Sequence, residues 1–121
     1  MKIITFLIAD NIQQNPSNQK ISVEGIFDTI FTESFPVIHK QLFALTIFKG
    51  VNKKYNYKIT IEHKSKILTT SEDIIDKKSG QEHSIVSLFN DTPLEEPGEY
   101  TIKVKLDNQT IQKIINVKKA V

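Results

Sequence analysis

The chain has 121 residues, 39% of them apolar and 25% charged, with a formal net charge of +2. That composition fits one folded domain, residues 1–121, and excludes a disordered or membrane-embedded polymer. The charge is too small to imply a polyanionic partner, and all sixteen basic residues are lysine, which removes the bidentate arginine contacts that read guanine and phosphate.

The chain opens with Met1-Lys2 and the apolar run Ile3 to Ala9. Seven residues interrupted by Thr5 and followed by Asp10-Asn11 make a poor secretory leader, so a first buried strand is expected. No stretch approaches the roughly 20 apolar residues of a membrane span. The absence of cysteine favours a reducing, cytoplasmic setting. Asn15-Pro16-Ser17-Asn18 predicts a turn. Residues 20–27 place Ile21, Val23 and Phe27 on one face and Ser22 and Glu24 on the other, with Gly25 marking a bulge or a positive-φ position.

Residues 42–48, like residues 2–9, are apolar on both faces, as expected of strands covered on both sides or lying under a loop. A turn follows at Lys49 to Lys54. Residues 55–62 then alternate cleanly, with Tyr55, Tyr57, Ile59 and Ile61 opposite Asn56, Lys58, Thr60 and Glu62, the pattern of a strand with one face in water. Residues 71–80 predict an irregular segment, with Ser71 capping a short helical turn and Gly80 ending the loop. In 82–90 either the odd set, Ile85 and Phe89, or the even set, Val86 and Leu88, forms the core side. Residues 100–106 alternate again, with Tyr100, Ile102, Val104 and Leu106 inward. Asp107-Asn108 predicts a tight hairpin, and the last strand, 110–118, carries Ile111, Ile115 and Val117 on one face.

Short strands with regular turns predict an all-β fold, an antiparallel β-sandwich of about seven strands closed by a C-terminal hairpin. Residues 95–102 read Glu-Glu-Pro-Gly-Glu-Tyr-Thr-Ile. The spacing of Glu96, Gly98, Tyr100 and Ile102 resembles the corner before strand F of immunoglobulin-like domains. The resemblance implies that the Tyr100 hydroxyl bonds a backbone carbonyl just upstream, and that Ile102 replaces the family's cysteine with apolar packing. Over nearly the whole chain, the order Ala-Asp-Asn, Gly25-Ile26-Phe27-Asp28, Phe35-Pro36 and Glu-x-Pro-Gly-Glu-Tyr resembles a bacterial family of uncharacterised small β-sandwich proteins, a domain of unknown function. That likeness implies a fold and no activity.

No constellation of residues carries chemistry. His39, His63 and His83 form no ligand pair, Glu72, Asp73 and Asp76 lack calcium-loop spacing, and there is no cysteine nucleophile or phosphate-cradling glycine loop. No enzyme, cofactor or metal is expected. Phe27, Ile30, Phe31 and Phe35 concentrate aromatic and aliphatic area after the second strand. They are read either as a plug for one end of the sandwich or as a candidate surface for a protein partner, the latter gaining if Phe31 is more than half exposed. Lys49, Lys53, Lys54, Lys58, Lys64 and Lys66 are read as solvated charges, which disfavours nucleic acid. The function is unknown from sequence. A non-catalytic protein-interaction or assembly module, self-association included, is the leading reading. A small-ligand binder or enzyme with a cleft invisible in sequence, or a structural component of a phage-derived or mobile-element assembly, is the alternative.

Overall fold

The computed structural model describes residues 1–120. Nine strands run in chain order: β1 (Lys2–Gln14), β2 (Ile21–Ile26), β3 (Thr29–Thr32), β4 (Val37–Lys49), β5 (Lys54–His63), β6 (Lys66–Asp76), β7 (Glu82–Leu94), β8 (Gly98–Leu106) and β9 (Gln109–Lys119). They form a four-stranded sheet, β2-β1-β4-β7, and a five-stranded sheet, β3-β9-β8-β5-β6. One core is shared between the sheets: Ile8, Leu42, Phe48, Ile85 and Phe89 from the first meet Tyr55, Ile59, Ile61, Ile102, Val104 and Ile115 from the second. This is the sandwich arrangement in which each strand turns alternate side chains into the filling. Among the described residues no helix is long and apolar enough to cross a membrane.

The clean alternations fall where the sequence puts them. Tyr55, Tyr57, Ile59 and Ile61 are buried, and so are Tyr100, Ile102, Val104 and Leu106. β8 and β9 form the C-terminal hairpin, Leu106 facing Gln109 across Asp107-Asn108. Asp107 takes φ 49°. Its carboxylate accepts from the Asn56 N–H at 2.8 Å and from Lys53 at 2.9 Å, so the turn is tied to β5. These two contacts, the Asn56 N–H first, hold the Asp107 carboxyl below its ordinary pKa. In β7 the odd set lies inward, with Ile85 and Phe89 buried.

Three expectations are corrected. The strands number nine rather than about seven, because two edges are missing from the sequence reading. β3 is four residues long and pairs β9 in parallel, Phe31 beside Lys118, so the sandwich is not wholly antiparallel. Residues 71–76 do not form a capped helical turn: Ser71 lies within β6, opposite Ile59. β6 is an edge strand that contributes little beyond Leu68 and Ile75 to the core. With so few inward positions to fill, its acidic and hydroxylic residues conceal the two-residue period.

Candidate functional site

The strands that are apolar on both faces lie side by side. β1 pairs β4, and β4 pairs β7. Their inward residues join the core, and their outward residues stand in four rows across the sheet. Ile26, Ala9, Phe43 and Leu88 make one row. Leu7, Leu45 and Val86 make the next, followed by Thr5, Ile47 and Ser84, and then by Lys2, Lys49 and Glu82. Beyond the first row comes the polar pair Gln41–Asn90 on β4 and β7, while on β1 and β2 the apolar pair Ile12–Val23 continues the outer cluster. On β4 and β7 the outer face therefore has an apolar centre between two polar ends.

This centre is a second apolar cluster, distinct from the core. Ala9, Ile12 and Leu45 are buried within it, and Phe43, Ile47 and Val86 pack around them. Leu88 remains 46% exposed and Ile26 63% exposed. β1 feeds both clusters. Ile8 belongs to the core, whereas Ile12, at an even spacing from it, packs in the outer cluster with Ile21 and Val23. The change of face coincides with Gly25 on β2, which takes φ 68°. A Cβ at Gly25 would lie 2.5 Å from the Asp10 carboxylate, so glycine supplies both the left-handed backbone and the room.

The outer face of the five-stranded sheet is different in kind. Lys58 pairs Glu72 at 3.5 Å and Lys103 pairs Glu62 at 3.2 Å. An open recess of about 930 Å³ lies here, lined among others by Lys54, Lys58, Glu72 and Lys105. The sequence counts one acid, Glu62, within the lysine-rich segment; β6, β8 and neighbouring loops bring Glu72, Asp107 and Glu96 to its lysines. The exterior of the five-stranded sheet is thus ion-paired, with Phe31, Ile67 and Ile74 exposed on its edge strands.

The candidate partner residues are split by the fold. Phe27, Ile30 and Phe35 pack against the core. Phe31 points the other way and is 67% exposed, on the charged exterior beside Lys118.

The corner residues stand together. The Tyr100 hydroxyl donates to the Glu96 carbonyl oxygen at 2.7 Å, and burial pushes its pKa up. Ile102 is 1% exposed, and Gly98 takes φ 137°. His63, not foreseen as part of this corner, stacks on Tyr100 with centroids 4.0 Å apart and planes 8° apart. Its Nδ1 lies 2.8 Å from the Glu99 carbonyl oxygen and its Nε2 2.8 Å from Glu96 Oε1. Lys64 first, then His63, holds the Glu96 carboxyl below its usual range. The Tyr100 hydroxyl and both His63 ring nitrogens have protein partners, as befits a structural clasp. His39 and His83 stand on other strands, each with its pKa lowered by burial. Among the described residues no group of three or more His, Asp or Glu side chains is arranged to hold a metal ion.

The residues missed from sequence are those of the apolar rows, Leu7, Phe43, Leu45, Val86 and Leu88. Their signal was the two-sided apolarity of residues 2–9 and 42–48 together with the ambiguity of 82–90. Three such strands in one sheet leave one face too many.

Two facing sheets packed on one shared core define a small all-β sandwich protein. A family model described as "Family of unknown function (DUF6941)" matches residues 4–116, and the chain belongs to that family. A comparison with curated proteins found no match.

Proposed function

We propose that the chain is a non-catalytic interaction module that docks through the outer face of its four-stranded sheet. The observation that carries this reading is the pair of apolar rows, Ile26-Ala9-Phe43-Leu88 and Leu7-Leu45-Val86, flanked by Gln41 and Asn90 on β4 and β7 at one end and by Lys2, Lys49 and Glu82 at the other. Apolar centres with polar rims are the anatomy of protein interfaces, and contiguous apolar surface on a folded protein marks a place where something binds. An immunoglobulin-like relationship is supported by the Tyr100–Glu96 corner, and a reducing compartment by the absence of cysteine. Nucleic acid is disfavoured because Lys53, Lys58, Lys64 and Lys103 each hold a carboxylate.

The test is photo-crosslinking in the native cell from an unnatural residue at position 88, with position 105 on the opposite exterior as the control. Protein adducts from 88 and none from 105 are expected. No adduct from 88, or equal yield from both faces, overturns the assignment of this surface.

A further inference from the structure

We propose that the free edge of β7 pairs with itself: two copies of the chain join β7 to β7, antiparallel, about a two-fold axis at Ser87. The proposal is independent of the docking role given to the outer sheet face, since it concerns the backbone along one rim of that sheet.

β7 ends the four-stranded sheet, and among the described residues β4 is the one strand paired with it. An edge strand keeps a row of backbone N–H and C=O groups without a ladder partner, and folded proteins guard such rows with short length, charge, proline or a bulge. The other three edges carry these guards. β3 has four residues. β2 has six, among them Glu24 and the left-handed Gly25. β6 carries Lys66, Glu72 and Asp76, and turns Asp73 inward opposite Tyr57. Residues 84–90 of β7 include no charge, no proline and no glycine, and Ile85, Val86 and Phe89 are of the types that favour strand pairing. Nor does the facing sheet close over this edge. An open recess of about 180 Å³ lies alongside it, lined by Val86, Leu88 and Phe89 of β7 and by Ser71, Asp73 and Ile75 of β6.

The pattern of this stretch selects the occupant. Residues 84–90 run polar, apolar, apolar, polar, apolar, apolar, polar, so they read alike in both directions from Ser87. An antiparallel pair centred on Ser87 sets Val86 beside Leu88 of the second copy on the outer face. It sets Ile85 beside Phe89 on the inner face, and Ser84 beside Asn90. Every apolar side chain then meets an apolar one. A centre at Val86 would instead set Ser84 against Leu88 and Ile85 against Ser87. A centre at Leu88 would set Val86 against Asn90 and Ser87 against Phe89. Matching of this kind is what holds a strand in register. The matched stretch stops at Asp91, whose φ of 56° takes the strand out of regular pairing. A second copy of the chain therefore carries the complementary edge.

The chain has no cysteine, so one introduced thiol reports its own neighbour. Directly opposed residues of an antiparallel pair have Cα atoms about 4.5–5.5 Å apart, within the span of a disulfide. Intact Val86→Cys and Leu88→Cys chains, each checked for fold by far-UV circular dichroism, are mixed in a glutathione buffer that lets disulfides exchange. Mixed dimers, position 86 to position 88, are expected in excess of the half that random pairing gives. Leu7→Cys lies in the same outer row as Val86 but two strands from the edge, and is expected to stay uncrosslinked. Sedimentation velocity of the wild type from micromolar to millimolar concentration is expected to show a reversible dimer, weak because the contact is small. Leu88→Lys, a charge at an exposed edge position, is expected to weaken it roughly 10-fold or more. A folded wild type that stays monomeric at millimolar concentration overturns the proposal. Mixed disulfides at or below half overturn the register and the axis with it. Leu7→Cys crosslinking as readily as Val86→Cys overturns edge pairing in favour of contact through the face.

Discussion

The ammonium of Lys77 donates to the Asn52 side-chain oxygen at 2.7 Å while Lys77 itself is only 1% exposed. The same nitrogen reaches the Gly80 carbonyl oxygen at 2.6 Å. No ion pair to a carboxylate is formed here; neutral oxygens from two loops solvate the charge in place of water. The lysine thereby fastens the segment between β6 and β7 to the turn before β5, and the Lys77 N–H adds a bond to the Lys53 carbonyl. Buried charges persist only when such partners are complete. Asn52→Ala should therefore cost about 2–3 kcal/mol, because it strips an acceptor from a charge that stays buried. Lys77→Met should cost less, since charge and donors leave together. Urea unfolding of both variants and of their combination checks this, with a double loss smaller than the sum as the expected result.

Ile102 and Tyr100 hold the same corner by different means. Ile102→Ala removes a fully buried side chain from the middle of the shared core and should cost about 2–5 kcal/mol. Tyr100→Phe keeps the ring stacked on His63 and loses only the bond to the Glu96 carbonyl, so about 1 kcal/mol is expected. Chemical denaturation separates them. A smaller loss for Ile102→Ala than for Tyr100→Phe would contradict the packing described here.

Acid should weaken the fold through its half-buried imidazoles. His39 has its pKa lowered by burial, against an opposing pull from Asp10; that of His83 is lowered by burial and then by Lys77. Both rings are therefore harder to protonate folded than unfolded. The unfolded chain takes up the proton first as pH falls, so their contribution is complete above pH ~6.5 and declines below it. The urea midpoint should drop between pH 7.5 and roughly pH 5.5. His39→Leu should flatten part of that slope. Because His39 Nε2 is buried without a partner, the same variant should be neutral or stabilising at pH 7.5.

Gly25→Ala tests the change of face on β1. The φ of 68° and the Asp10 carboxylate at the Cβ position both oppose a side chain. A loss of about 1–3 kcal/mol is expected, and amide hydrogen exchange should show it first along β1 and β2. Asp10→Ala, by clearing the space, should recover part of the loss and leave the backbone strain.

How much of this is legible in the sequence depends on how much water each strand meets. β5 and β8 have one wet face and one dry face, so Tyr55 to Ile61 and Tyr100 to Leu106 spell out their orientation. β6 meets water over most of its length, and Ser71, Glu72 and Asp73 read as a loop because nothing requires them to alternate. β1, β4 and the middle of β7 are apolar on both sides, and local sequence does not distinguish core from exterior there. Phe27, Ile30 and Phe35 draw attention as aromatics and aliphatics in a loop, yet fill the core. The outer apolar rows use Leu, Ile, Val, Ala and a single Phe, residues that attract no notice until three strands are laid side by side.

The two-sided apolarity of β1 and β4 also bears on how the chain finds its alignment. A strand with one apolar face proofreads its own pairing, since a slip by one residue turns that face into water. β1 and β4 lack this check along their shared length, because a slipped pairing exchanges one greasy side for another. Alignment then falls to irregularities that fit in one place only: the register shift between Ile3 and Thr5, and the left-handed Gly25 against Asp10. These positions act as the notches of a key whose blades are otherwise smooth, and altering them should yield misaligned, aggregating chains rather than merely looser ones.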